Sequence, residues 1–389
     1  MRLRHPDGSL IHLAYCSNVH PAEDPEGIHA QLRRFAGPVR ERLGVDRLGV
    51  GLWLPAATAA LLAADARELD ALRAVLDEQG LEVVTLNAFP YGGFHDRVVK
   101  HRVYRPDWTE PERLAFTLDA ATVLAGLLPG DAARGSISTL PLAWHAPWSD
   151  DARGLARANL DALAVGLERL RERTGRHIRV GFEPEPGCVI ETTEEAIAEL
   201  AGVDTTHLGV CVDACHLATA FEDAGTAVAA LASAGLPVVK AQLSAALHVA
   251  DPAAAATREL LEEFVEERFL HQVREPAPGG GLLHRDDLPD ALAGDALPAS
   301  EPWRIHFHLP LHAAPSAPLA GTGAELVETM RALVGGERPL TDHLEVETYT
   351  WTVLPEGQRP TDDAGLVAGI AAELAQARSH AHDLGLENA

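Results

Sequence analysis

The sequence predicts an α/β protein built as a closed (β/α)8 barrel, with its working site at the C-terminal ends of the strands. Three observations lead there. Short β-branched runs alternate with longer amphipathic segments, the pattern of a parallel sheet wrapped by helices. The alternation is sustained over 389 residues, more than the roughly 250 of a minimal barrel. No G-x-G-x-x-G follows the first strand-like run, which weakens the case for a dinucleotide-binding open sheet.

Taken in order, the strand-like stretches are His12–Ser17, Leu48–Leu54, Val83–Phe89, Ser136–Pro141, Ile178–Glu183, Leu208–Asp213, Val238–Ser244, Arg304–Leu309 and Leu344–Thr350. Arg47–Leu54 is a compact apolar run, as expected of a strand buried on both faces. Helical spacing marks Gly27–Arg42, Thr58–Gln79, Glu110–Leu127, Asp150–Arg173, Thr193–Leu200, Ala218–Ala234, Glu325–Val334 and a last helix from Thr361 to about Leu384. In Thr58–Gln79, Leu61, Leu62, Leu69, Leu72 and Val75 make the apolar stripe and Gly80 the stop. Nine strands compete for eight places. The one to set aside is Arg304–Leu309, because it follows a Pro/Gly-rich, acidic stretch, Glu275–Glu301, that reads as a mobile excursion. We therefore expect one barrel domain over residues 1–389, with an inserted excursion over 251–301 before the last strand.

The composition limits the partners. A formal net charge of −25 repels nucleic-acid phosphates. No apolar run reaches the roughly 18 residues of a membrane span, and the polar N-terminus lacks a secretory segment, so the expected location is the cytoplasm. The four cysteines (Cys16, Cys188, Cys211, Cys215) form no C-x-x-C pair and read as reduced, buried thiols. Thirty arginines stand against two lysines, Lys100 and Lys240, so a lysine in a strand stands out.

Polar residues collect at the strand ends. Glu183-Pro184-Glu185-Pro186 closes one strand; two acids at spacing two share a side of an extended chain and suit a hard cation or proton transfer. The next strand ends in Asp213-Ala214-Cys215-His216, an oxygen ligand and an imidazole, although Asp213 could equally cap the helix that follows. Lys240, Gln242 and Ser244 share one face of the following strand. Lys240 reads as a substrate-binding cation or Schiff-base amine, or as a lysine paired with an acid at the barrel's foot. His306-Phe307-His308 presents two imidazoles at spacing two, and Glu345 and Glu347 lie on one face of the last strand, Glu347 nearer the rim. Asn18, His20, Asn87 and His95 at the early strand ends are candidate contacts for a polar substrate, with Phe89, Tyr91 and Phe94 to shield it.

The set Glu183, Asp213 with His216, and Glu347 resembles the metal site of sugar isomerases and epimerases in the xylose-isomerase-like barrel superfamily. Six runs, Tyr15–Pro21 (YCSNVHP), Asn87–His95 (NAFPYGGFH), Val103–Trp108 (VYRPDW), Gln242–Leu247 (QLSAAL), His306–Leu311 (HFHLPL) and His343–Leu354 (HLEVETYTWTVL), resemble the EboE-type metabolite traffic proteins. The resemblance implies a divalent ion (Mg, Mn or Zn) held by Glu183, Asp213, Glu347 and a histidine. Where the superfamily carries that histidine, this chain has Gln242, so His306 or His308 replaces it, or the ion is held weakly or not at all. The implied activity is isomerisation or epimerisation of a small polyhydroxylated or carbonyl metabolite, with Glu183 and Glu347 moving the proton and Lys240 a further catalytic candidate. His216, Glu185 and Glu345 join the substrate contacts. Two alternatives stay open: a non-catalytic metabolite carrier with partners in an export pathway, and a metal-dependent hydrolase.

Overall fold

Eight parallel strands close into a ring in chain order: β1 Leu10–Cys16, β2 Leu48–Trp53, β3 Thr85–Asn87, β4 Gly135–Thr139, β5 Ile178–Phe182, β6 Leu208–Asp213, β7 Val238–Leu243 and β8 His343–Val346. The computed structural model that shows this describes residues 1–294 and 296–389. Closure is made by β8 against β1, from His343↔His12 to Val346↔Tyr15, so the barrel proper has no open edge. The ninth strand-like run contributes only Trp303–Ile305, and to a different sheet.

Two of the long helices are broken, each where an aspartate offers a better cap than the helix offers an interior. The span predicted as Thr58–Gln79 is two helices, Ala56–Ala64 and Ala66–Glu78, because Asp65 takes an extended conformation and accepts a bond from the Arg67 amide. Leu62, Leu72 and Val75 are buried as expected, but Leu61 faces solvent. Likewise Ala218–Ala234 resolves into Ala214–Thr219, capped by Asp213, and Ala224–Ser233, capped by Asp223.

Between β7 and β8 the chain builds a five-stranded antiparallel sheet from Leu247–Val249, Val273–Pro276, Leu282–Arg285, Trp303–Ile305 and Leu319–Gly321. Its strands extend to either side of residues 251–301, and the stretch from Glu275 is an ordered hairpin rather than a free loop. The sheet is tied to the loops that leave β3 and β5. The Val99 and Lys100 amides both donate to the Arg268 carbonyl at 2.8 Å, Lys100 pairs with Asp287, and the Arg274 guanidinium grips Glu191 through both carboxylate oxygens. The small sheet is therefore held against the loops at the C-terminal end of the barrel.

The barrel interior is polar in layers rather than filled with aliphatic side chains. Lys240 is fully buried and paired with Glu345, one strand over. Burial works to lower the lysine's pKa, but the Glu345 carboxylate outweighs it and leaves the ammonium held above its ordinary value. The pair needs the space left by Gly51: a Cβ there would lie 1.3 Å from Glu345 Oε1. Outside the barrel, Glu373 on the helix Asp363–Asp383 accepts bonds from the Thr348 hydroxyl (2.6 Å) and the Leu311 amide (3.1 Å), which fixes the chain just past β8.

Two outcomes follow for stability. Lys240→Met or Glu345→Gln alone should lower the unfolding free energy by roughly 3–5 kcal/mol, since each strands a buried charge. The double variant should recover most of that loss in denaturant titration, and strictly additive losses would refute the pairing. Burial pushes the Glu373 carboxyl from 4.5 up to about 7, against its hydrogen bonds. The native state then holds a proton that the unfolded chain releases, so this contribution is present below pH 4.5 and fades as pH rises through 7. At ~1.4 kcal/mol per pKa unit, wild type should lose roughly 3 kcal/mol relative to Glu373→Gln across that window, read from paired denaturation curves.

Candidate active site

Strand ends and the loops after them bring four carboxylates together; Glu183, Glu185 and Glu347 line one cavity and Asp213 lies against Glu183 and Glu347. Glu183 and Glu185 leave β5 on the stiff Glu183-Pro184-Glu185-Pro186 exit, Asp213 ends β6, and Glu347 follows β8. All four are buried. The cavity spans about 520 Å³, including the part open to solvent. Its floor holds Glu183, Glu185, Glu347, His216, His306 and His308, and its wall holds Phe89, Phe94, Tyr104, Phe269 and Tyr349.

Glu183, Asp213 and Glu347 each direct one carboxylate oxygen to a point where all three lie within 4.8 Å of one another. Glu347 Oε1 accepts from Asn18 Nδ2 (2.7 Å) and Asn87 Nδ2 (2.9 Å), which fixes its rotamer. Asp213 Oδ1 accepts from the His216 amide (2.9 Å) and the Ser244 hydroxyl (2.7 Å). Asp213 thus caps its helix and still keeps Oδ2 free. That atom, Glu183 Oε2 and His308 Nε2 are buried with no hydrogen-bond partner. His308 donates through Nδ1 to the Glu347 carbonyl (2.7 Å), so Nε2 carries the lone pair, and it lies 4.0 Å from Asp213 Oδ2.

Burial first, then the neighbouring carboxylates, pushes the Glu183 and Glu347 carboxyls well above their ordinary range. Among the described residues, no lysine or arginine comes within ion-pairing distance of Glu183, Glu185, Asp213 or Glu347; their only basic neighbours are imidazoles. Three converging carboxylates, two of them with an unpartnered buried oxygen, and a lone-pair imidazole nitrogen fit a hard divalent cation. Gln242 is level with Asp213 and Glu345 in strand register, and both its amide atoms are buried without partners, so its oxygen is also placed as a donor to the same region.

Several sequence expectations need correction. Lys240 and Glu345 pair with each other and are not among the residues lining the cavity, the arrangement of the reading in which Lys240 pairs with an acid. His20 stacks on Phe35 (4.4 Å, 13°) and bonds Tyr15, away from the cavity. His95 bonds the Asn18 carbonyl (2.7 Å), so it supports Asn18 from behind. Tyr91 packs on Phe116 instead of shielding the site. The strand ahead of the H-x-H run stops at Ile305, and the two histidines stay close, their ligand atoms within 4.8 Å: His308 bonds the Glu347 carbonyl and nears Asp213, and His306 contacts Glu185, His216 and Gln272. Asn18 and Asn87 do line the cavity, but through their grip on Glu347.

The sequence reading missed Tyr104, Phe269, Gln272 and Tyr349. Tyr104 and Tyr349 lie in two of the quoted runs, so a signal existed. Phe269 and Gln272 come from the excursion between β7 and β8, where nothing in the local pattern announces a site. Tyr104 donates to Glu185 Oε1 (3.1 Å), and Gln272 Nε2 donates to the Tyr104 hydroxyl (2.9 Å) and the Pro186 carbonyl (2.8 Å).

Comparison with known proteins bears on the fold. No curated protein matches the sequence. Similar solved structures include a xylose isomerase-like TIM barrel protein from Mycobacterium smegmatis in complex with magnesium (14% identity, 95% of this chain and 97% of that chain covered, TM-score 0.50). They also include D-psicose 3-epimerase from Clostridium cellulolyticum H10 with D-tagatose (14%, 95% and 98%, TM-score 0.49) and an IOLI protein with a zinc atom (14%, 96% and 98%, TM-score 0.44). No helix among the described residues is long and apolar enough to cross a membrane. The xylose isomerase-like TIM barrel model matches residues 42–282, more than half of the chain. With the closed ring of eight parallel strands, that match shows that the chain belongs to the xylose isomerase-like TIM barrel family.

Proposed function

We propose that the protein is a divalent-metal-dependent isomerase or epimerase acting on a small polyhydroxylated or carbonyl metabolite. The observation that carries the reading is the convergence of buried Glu183, Asp213 and Glu347, with no lysine or arginine in ion-pairing distance among the described residues, beside an aromatic-walled cavity that Glu183 and Glu347 line. Glu183, Asp213, Glu347 and His308 would hold the ion, with Gln242 as a further oxygen donor. A bound divalent cation supplies Lewis acidity, polarising a substrate carbonyl and stabilising charge on adjacent oxygens.

The chain's own groups then divide the work. Glu347 is held by two amide donors and acts as the fixed carboxylate. Glu183 Oε2 lacks a partner, so Glu183 is the carboxylate free to take a proton from a substrate carbon and return it. The rings of Phe89, Phe94, Phe269 and Tyr349 keep water from that step. The resemblance of six runs to EboE-type proteins supports a metabolite drawn from a processing or traffic pathway, with partners there and in the cytoplasm. A net charge of −25 argues against a nucleic-acid substrate for a metal hydrolase on this fold.

One observation favours a second reading, a carrier that binds its metabolite without turnover. Gln242 stands where the superfamily resemblance calls for histidine, and an amide is a weaker donor than imidazole.

Solvent exchange separates the two. With Mg2+, Mn2+ or Zn2+ and a sugar panel in D2O, an isomerase incorporates deuterium at the carbon next to the carbonyl, and Glu183→Gln should slow this by about 10²–10⁴-fold. Asp213→Asn should lose bound metal by elemental analysis, and Gln242→His should tighten it. Absence of both retained metal and exchange would defeat the enzyme reading; a ligand bound stoichiometrically and recovered unchanged would establish the carrier.

A further inference from the structure

The lining of the cavity falls into two groups with different origins. One is the cluster of acids, imidazoles and amides at the strand ends, and many of its polar atoms are already engaged. Asn18 and Asn87 donate to Glu347, and Asn87 Oδ1 accepts the Phe89 amide at 2.9 Å. The Tyr104 hydroxyl donates to Glu185 and accepts from Gln272. The other group is apolar. Phe89, Phe94, Val99, Val103, Phe269 and Leu270 line the cavity and offer no side-chain hydrogen bond. Phe94 packs on Phe269 (ring centroids 5.1 Å apart) and on Tyr349 (5.3 Å), and Phe269 packs on Tyr349 (4.9 Å).

The apolar residues come from chain added around the barrel. Phe89 to Val103 belong to the long segment after β3, and Phe269 and Leu270 to the inserted chain between β7 and β8. The two segments are joined where the Val99 and Lys100 amides donate to the Arg268 carbonyl. The insertion thus completes an apolar wall beside a polar centre.

Charge points the same way. Lys100 is the only lysine or arginine among the described residues lining the cavity, and its ammonium is committed to Asp287 and to the Glu266 carbonyl (3.4 Å). A phosphate on the substrate would meet no free cationic side chain, and Glu183, Glu185 and Glu347 would oppose it. A chain of sugar hydroxyls laid along the phenylalanines would give up water without replacement partners. An apolar arm gains there, because its surface leaves water.

We infer that the site takes a hydroxy-carbonyl metabolite carrying an uncharged aryl or alkyl arm, in place of the hydroxylated or phosphorylated chain of a sugar. The inference rests on the reading above that the carboxylate end receives a hydroxy-carbonyl head. Phe269 and Val103 are the specificity-determining residues that it names, one from each added segment.

Three ligands with the same methyl hydroxyketone head test the arm. Phenylacetylcarbinol carries a phenyl ring, deoxyxylulose a hydroxylated chain, and deoxyxylulose phosphate the same chain with an anion. In titration calorimetry of the full chain with Mn2+ present, phenylacetylcarbinol should bind roughly 10–100-fold tighter than either sugar. Phe269→Ala and the isosteric Val103→Thr should each narrow that margin, Phe269→Ala by about 5-fold or more. Thermal melts establish that the variants are folded, and Val103→Thr carries the test if Phe269→Ala is not. The inference falls if either sugar binds as tightly as phenylacetylcarbinol, or if none of the three binds. It also falls if the margin is unchanged in the folded variants, since the wall then serves only to exclude water. Deuterium exchange separates this from the isomerase reading. A phenyl preference in binding without exchange of any ligand counts against the isomerase alone; exchange with equal binding of the three counts against the apolar arm alone.

Discussion

Removing a carboxylate from water without a counter-charge costs several kcal/mol, and this barrel does so four times at one rim. Glu183, Glu185, Asp213 and Glu347 are buried within a few ångströms of each other, while both lysines of the chain are committed elsewhere, Lys240 to Glu345 and Lys100 to Asp287. The surrounding structure is organised around that excess of negative charge. Asn18 and Asn87 supply dipoles to Glu347, Ser244 and a helix amide supply them to Asp213, and Tyr104 supplies one to Glu185. The remaining lone pairs point inward, and an ion of opposite charge is the simplest group that satisfies them together.

The small sheet between β7 and β8 belongs to this arrangement. A barrel rim with only its own loops leaves the carboxylates open to water. Here the inserted chain brings Phe269 to the cavity wall and Gln272 into contact with Tyr104 and His306. It then returns through His306 and His308 on its way to β8. The Arg274–Glu191 and Lys100–Asp287 pairs anchor it to loops of β5 and β3. A rigidly anchored cover raises the strength of every electrostatic interaction beneath it, because it lowers the local dielectric.

Lower in the barrel the same polarity serves a different end. Lys240 and Glu345 pair with each other, and Gly51 is kept free of a side chain by the space their contact occupies. A polar face on a barrel strand therefore has two readings. It marks a site where the charges are unbalanced, as at Glu183 and Glu347, and a structural layer where they cancel, as at Lys240.

The sequence by itself determined the class of fold and most of the rim. Strict alternation of strand and helix patterns requires a parallel sheet, and eight of the nine candidate strands are the eight that close. Position at a strand end was enough to nominate Glu183, Asp213, His216 and Glu347, because the barrel topology brings strand ends together whatever lies between them. Charge pairing was not legible, since Lys240 and Glu345 are 105 residues apart and their contact depends on which strands become neighbours. The partners that the E-P-E-P, D-x-x-H and H-x-H residues find were equally out of reach. Spacing fixes which residues share a side of an extended chain, but Glu185 and His306 lie beyond the strand ends, where side-chain direction is set by long-range partners such as Gln272 and the Pro184 and Pro186 carbonyls. Only the tertiary structure decided those contacts, because they are made between segments that the sequence places far apart and only the closed barrel makes adjacent.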